Sequence, residues 1–143
     1  MSENNFSMDE QQEKIRKVRL MAPAVLAYVG DAVYEVFVRE YVAGKISGHL
    51  KALHKKSVLF VSAHAQSSIL KALNDILTEE EADVVRRARN AKVTSMPKNA
   101  DMMEYKYATA FEALIGFLHM SGQEERLQQL LDMVVKIVDN DEK

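Results

Sequence analysis

The chain has 143 residues, 48% of them hydrophobic and 28% charged, which suits one globular domain with a single buried core. It contains no cysteine, so disulfides and thiolate metal sites are excluded, and no apolar run approaches the roughly 18 residues of a membrane span. The formal net charge of −2 does not by itself point to a nucleic-acid partner. Residues 1–9 lack the basic-then-apolar order of a secretory signal, so the expected location is the cytoplasm, with no membrane association.

Two prolines and five glycines leave room for long helices, and no alternating strand pattern competes with them. Residues 1–8 read as a frayed tail and 9–143 as one all-α domain. A short helix is expected over Asp9–Leu20. Pro23 suits the first turn of the next helix, where its missing N–H costs nothing. That helix should reach Val42, with Gly44 as its stop signal. Its first half, Ala22–Ala32, is apolar nearly all round, as in a buried central helix. Ser47–Leu77 reads as helical with a break near His54–Ser57. Thr78-Glu79-Glu80-Glu81 has the form of a capping box and opens a helix to Asn90. Residues 91–100, with Pro97, read as a loop. Ala100–Met120 reads as a helix. Ser121-Gly122-Gln123-Glu124 looks like a second capping box, opening a last helix to Val138 with an apolar face.

Charge is unevenly placed. Between Glu40 and Asp75 there is no acid, but Lys45, Lys51, Lys55, Lys56 and Lys71 are present. Val84–Ala100 is also free of acids and carries Arg86, Arg87, Arg89, Lys92 and Lys98. The two windows either fold to one side as a basic face or form separate solvated surfaces.

Two acids interrupt apolar helices. Asp31 follows Gly30, and an Asp beside a Gly is a poor helix interior. Glu112 follows Phe111 and has Ala108 and Gly116 one turn away on either side. Small neighbours leave a carboxylate open space for a hydrated divalent cation. The competing reading is a structural carboxylate paired with an arginine or a tyrosine such as Tyr28 or Tyr105. Glu35, Asp101 and Glu104 read as surface or ion-pair acids. His49, His54, His64 and His119 show no compact ligand spacing.

The run Leu26-Ala27-Tyr28-Val29-Gly30-Asp31-Ala32-Val33-Tyr34 resembles the signature helix of ribonuclease III catalytic domains. Thr109-Ala110-Phe111-Glu112-Ala113-Leu114-Ile115-Gly116 resembles that family's second signature. Arg86–Lys92, Pro97–Asp101 and Tyr105–Glu112 resemble stretches of its short branch, Mini-ribonuclease III. The resemblance implies the all-α ribonuclease III endonuclease fold, a helical bundle in which the Asp31 and Glu112 helices cross in the core at Gly30 and Gly116. It also implies an endoribonuclease that cuts double-stranded RNA, leaving 5′-phosphate and 3′-hydroxyl ends. Asp31 and Glu112 would be catalytic and would ligate Mg²⁺, with Mn²⁺ as a substitute. A homodimer would make one cut per strand. Two positions usually acidic in the family hold Ala27 and Thr109, so the number of cations per site stays open.

Longer relatives carry a separate RNA-binding domain, and a chain stopping at Lys143 has no room for one. RNA contacts are therefore expected from Arg86, Arg87, Arg89, Asn90, Lys92, Lys98 and Asn99, with Lys55 and Lys56 as weaker candidates. The resemblance further implies maturation of bacterial 23S ribosomal RNA precursor, with a ribosomal protein as a potential helper. The alternative is a catalytically inactive helical RNA-binding dimer acting in ribosome assembly.

Overall fold

The computed structural model describes residues 8–93 and 95–142, and of the tail expected at residues 1–8, residues 1–7 lie outside them. The described residues form seven α-helices and no strand. They are α1 (Met8–Arg19), α2 (Pro23–Lys45), α3 (Leu50–Val61), α4 (Ala63–Leu73), α5 (Glu79–Asn90), α6 (Met102–Met120) and α7 (Glu124–Asp141), with a 3₁₀ turn at Asn74–Ile76. Met8, read as tail, begins α1.

The centre is the crossing of α2 and α6. α2 buries Leu26, Tyr34, Val38 and Val42, and α6 buries Phe111, Leu114, Ile115 and Leu118. The Tyr34 ring meets Phe111 edge-on at 4.8 Å, and its buried hydroxyl donates to the Phe60 carbonyl at 2.9 Å. Two glycines allow the backbones to touch. A Cβ at Gly30 would lie 1.7 Å from the Glu112 carbonyl oxygen, and one at Gly116 would lie 1.9 Å from the Leu26 carbonyl oxygen. No side chain fits at either point.

The other helices surround this crossing. α7 adds Leu127, Leu130, Leu131, Val134 and Val138 on one face. α5 starts at the capping box read from the sequence: Thr78 Oγ1 accepts from Glu81 N at 3.2 Å, and Glu81 Oε1 accepts from Thr78 N at 3.0 Å. The same Glu81 carboxylate, 2% exposed, takes two hydrogen bonds of 2.9 Å from Arg126 of α7. One acidic side chain thus caps α5 and ties it to α7.

Four boundaries differ from the sequence reading. The break in 47–77 falls at Ser62, not at His54–Ser57. Ser62 accepts from Ala65 N at 3.1 Å and caps α4, while Ser57 satisfies its hydroxyl on Leu53 O inside α3. Ser121 does not open α7. Its hydroxyl donates back to Phe117 O at 2.7 Å, Gly122 takes φ 77°, and Gln123 N bonds Leu118 O, so Ser121–Gln123 closes α6 in a left-handed turn. α6 itself begins at Met102, with Asp101 accepting from Glu104 N at 2.9 Å. Gly44 lies inside the last turn of α2 instead of beyond it, with open space around it.

Candidate active site

Asp31 and Glu112 meet where α2 and α6 cross. Gly30 precedes Asp31, and Gly116 lies one turn after Glu112, so the same backbone contact places both carboxylates. Asp31 is exposed, at the edge where the core face of α2 meets solvent, and Glu112 is half-buried. The two carboxyl groups are within hydrogen-bonding reach. Burial, and then the neighbouring Asp31, push the Glu112 carboxyl from 4.5 up to about 8. The Gln66 amide opposes that shift by hydrogen bonding, and the charge of Glu35 adds to it. Two acids crowded this closely, one of them half-dried, form a site short of positive charge.

A divalent cation fits that deficit. Asp31 and Glu112 supply two oxygen ligands, and Mg²⁺ is commonly held by one or two carboxylates while keeping several waters. Ala27 is buried, and Thr109 lines a neighbouring groove, so neither position adds a charge. Among the described residues no three His, Cys, Asp or Glu side chains cluster as a ready-made metal cage.

The accessory acids have other partners. Glu35 pairs with Arg39 at 3.2 Å, Asp101 caps α6, and Glu104 contacts His64. Tyr28 is 82% exposed and does not sequester Asp31.

The basic candidates separate by partner. Arg87 donates to the Arg19 carbonyl and clamps the end of α1; Arg86 pairs with Asp83, and Lys56 with Glu142. Lys55 is exposed on α3. Arg89 lies over the Tyr107 ring at 5.7 Å, and Lys71 approaches the same ring at 5.0 Å. The two acid-free windows therefore meet at Tyr107. Lys92 lines a groove with Val93, Ser95, Tyr105, Lys106 and Thr109, so this groove runs along α6 to within one turn of Glu112. Asn90, Lys98 and Asn99 are exposed. Asn99 has φ 68°, a conformation Asn tolerates better than most residues, so its turn alone accounts for its side-chain type.

Sequence reasoning passed over Gln66, Lys106 and Tyr107 as site residues, and read Lys71 only as part of the first acid-free window. Gln66 was detectable: with Ile69, Leu70 and Leu73 it occupies the i, i+3, i+4, i+7 positions of the buried face of α4, where a long polar side chain is out of place.

Known proteins place this crossing. The Ribonuclease III domain model matches residues 24–123, which include both carboxylates and the basic groove. A crystal structure of a protein from Fusobacterium nucleatum superimposes with a TM-score of 0.76 at 32% identity, covering 82% of this chain and 98% of that one. Mini-ribonuclease 3 of Thermoanaerobacter is 38% identical over 97% of this chain and 99% of its own length. That of Brevibacillus brevis is 44% identical over 92% and 98%. The Staphylococcus aureus relative is 41% identical over 92% and 98%. The chain belongs to the ribonuclease III family of endoribonucleases, in its Mini-ribonuclease 3 branch.

Proposed function

We propose that the protein is a Mg²⁺-dependent endoribonuclease that cuts double-stranded RNA as a homodimer, with the 23S ribosomal RNA precursor as its cellular substrate in the cytoplasm. The observation that carries this reading is the convergence of Asp31 and Glu112 at the glycine crossing, with the two acids held together against their repulsion. Asp31 and Glu112 would hold the cation, and Mn²⁺ has the same preference for oxygen ligands. When bound, Mg²⁺ lowers the pKa of a water and stabilises charge on the scissile phosphate. Glu112 gives up its proton as it becomes a ligand, so binding is favoured by rising pH. Lys92 and Lys106 meet phosphates along the groove, Lys98 meets them from the exposed loop that follows, and the Lys71–Tyr107–Arg89 cluster offers a second basic contact. Duplex RNA is read largely by shape and backbone, which such a surface suits.

The dimer is supported by one face of α2. Val25, Tyr28 and Val36 are 43%, 82% and 58% exposed, and with Ala32 they form a stripe beside Asp31. An apolar stripe of this kind on a central helix is suited to a second copy related by a twofold axis. Such pairing would set two sites side by side, one for each strand.

Cleavage of a long RNA duplex with Mg²⁺ and with chelator tests the reading. Asp31→Asn and Glu112→Gln should keep fold and duplex binding and lose cleavage. Mg²⁺-dependent cutting by either purified variant overturns its assignment. Duplex binding by the wild type without any cleavage would establish the inactive RNA-binding alternative. Light scattering that returns one chain per particle in a preparation that still cleaves would overturn the dimer.

A further inference from the structure

Gln66 reaches the Glu112 carboxyl from α4. It is 4% exposed on a stripe otherwise filled by Ile69, Leu70 and Leu73. A buried amide must replace its lost water with protein partners. Nε2 donates to the carbonyl of Val61, at the end of α3, at 3.2 Å. That carbonyl can only accept, so it fixes which end of the amide is the donor. The amide also lies beside the Glu112 side chain, where it favours the carboxylate's anion, as an N–H on that side does. Oε1 is buried and has no donor among the described residues.

A buried carbonyl oxygen without a donor is rare in native proteins, and each instance calls for an explanation, a water or an ion at a functional site among them. This one adjoins a pair of carboxylates suited to a hydrated cation. With only two protein carboxylates, most positions around Mg²⁺ are filled by water, and those waters donate strongly. We propose that Gln66 is a positioning residue of the cation site: one N–H orients the Glu112 carboxylate, and Oε1 accepts a hydrogen bond from a water of the hydrated cation. The inference rests on Asp31 and Glu112 holding the cation. It gives the site an oriented neutral partner where Ala27 and Thr109 supply no acid.

The test uses the full chain without RNA. Mn²⁺ affinity is read by electron paramagnetic resonance for wild type, Gln66→Met and Asp31→Asn. The Gln66 side-chain amide is followed by ¹⁵N NMR during a Mg²⁺ titration of the wild type. Groups that orient a metal ligand typically change metal affinity by about 10- to 100-fold when removed. Gln66→Met should therefore bind Mn²⁺ roughly 10- to 100-fold more weakly. Its kcat should fall while its KM for duplex stays near wild type, and Mg²⁺ should shift the Gln66 amide resonance in the wild type. A purely structural Gln66 would lower the melting temperature and leave Mn²⁺ affinity and kcat alone, and that result overturns the proposal. Should Gln66→Met fail to fold, the resonance decides: an amide unmoved by saturating Mg²⁺ also overturns it. Asp31→Asn separates the two readings. If it retains full Mn²⁺ affinity, the cation site itself is misplaced. If it loses affinity while Gln66→Met does not, only the role of Gln66 falls.

Discussion

The charge deficit at Asp31 and Glu112 has a thermodynamic signature that needs no substrate. In the folded protein without cation, the Glu112 carboxyl is held up to about 8, whereas an unfolded glutamate titrates near 4.5. Between these values the folded state keeps a proton that the unfolded state has released. Stability contributed by this group is therefore fully present below about pH 4.5 and is lost as pH rises through about 8. At roughly 1.4 kcal/mol per pH unit, the interval sets a ceiling of roughly 5 kcal/mol. Solvent reaching a half-buried group reduces this to about 2 kcal/mol, or roughly 6 °C in melting temperature for a chain of this size. Glu112→Gln removes the titration and retains the shape. In EDTA, wild type and variant should melt together near pH 5, and the variant should be the more stable by about 6 °C at pH 9. Added Mg²⁺ should reverse the order, because a bound cation stabilises only the protein that ligates it. Scanning fluorimetry from pH 5 to 9, with and without Mg²⁺, reads both effects. Parallel curves for the two proteins in EDTA would refute the argument, since they would mean that neither burial nor the neighbouring Asp31 raises the Glu112 carboxyl.

Three further outcomes are expected. Gly30→Ala drives a methyl group into the Glu112 carbonyl and should cost roughly 3 kcal/mol or prevent folding, measured by urea denaturation; a fully stable variant would mean the helices cross elsewhere. Lys92→Ala with Lys98→Ala should reduce the log–log salt slope of duplex affinity by roughly 1 to 2, whereas Arg87→Ala should leave the slope unchanged and cost about 1–2 kcal/mol by freeing the end of α1. Affinities taken in Ca²⁺ at several salt concentrations check this, and an Arg87→Ala slope that falls like that of the lysine pair would contradict it. Glu81, whose carboxyl Arg126 and the Thr78 backbone hold below 4.5 against its burial, should contribute stability present above pH 4.5 and lost as pH falls through its lowered folded pKa; acid denaturation of Glu81→Gln should lack that loss, and identical acid profiles for the two proteins would disprove it.

Much of this was legible because its causes are local. The Thr78 capping box needs four consecutive residues, and Pro23 marks a helix start by its own chemistry. The glycine crossing was expected from the family resemblance, and the residues by themselves offered only small neighbours, Ala27 and Gly30 near Asp31 and Ala108 and Gly116 around Glu112. The errors arose where a side chain had two plausible local partners. Ser121 could cap forward or bond backward, and the left-handed Gly122 settled it. Ser57 and Ser62 presented the same ambiguity. The sorting of basic residues was out of reach because their partners are distant: Arg87 meets a carbonyl 68 residues away, and Lys56 an acid 86 residues away. Gln66 was visible as an anomaly on a buried face, but its neighbour Glu112 lies on a different helix.

The contact between Gly30 and Gly116 also constrains how this chain can vary. The separation of the two carboxylates is set by main chain pressed on main chain, so exchanging side chains elsewhere in the core alters how long the fold survives more than where the acids stand. At the two glycines themselves, every replacement adds at least one carbon atom to a space that holds none. Selection can therefore trade acids for neutral residues at Ala27 or Thr109, or redistribute lysines along the groove, while these two positions have no neighbouring sequence to drift into. In descendants of this chain, losing either glycine would be a dependable sign that the pair of acids no longer does its work.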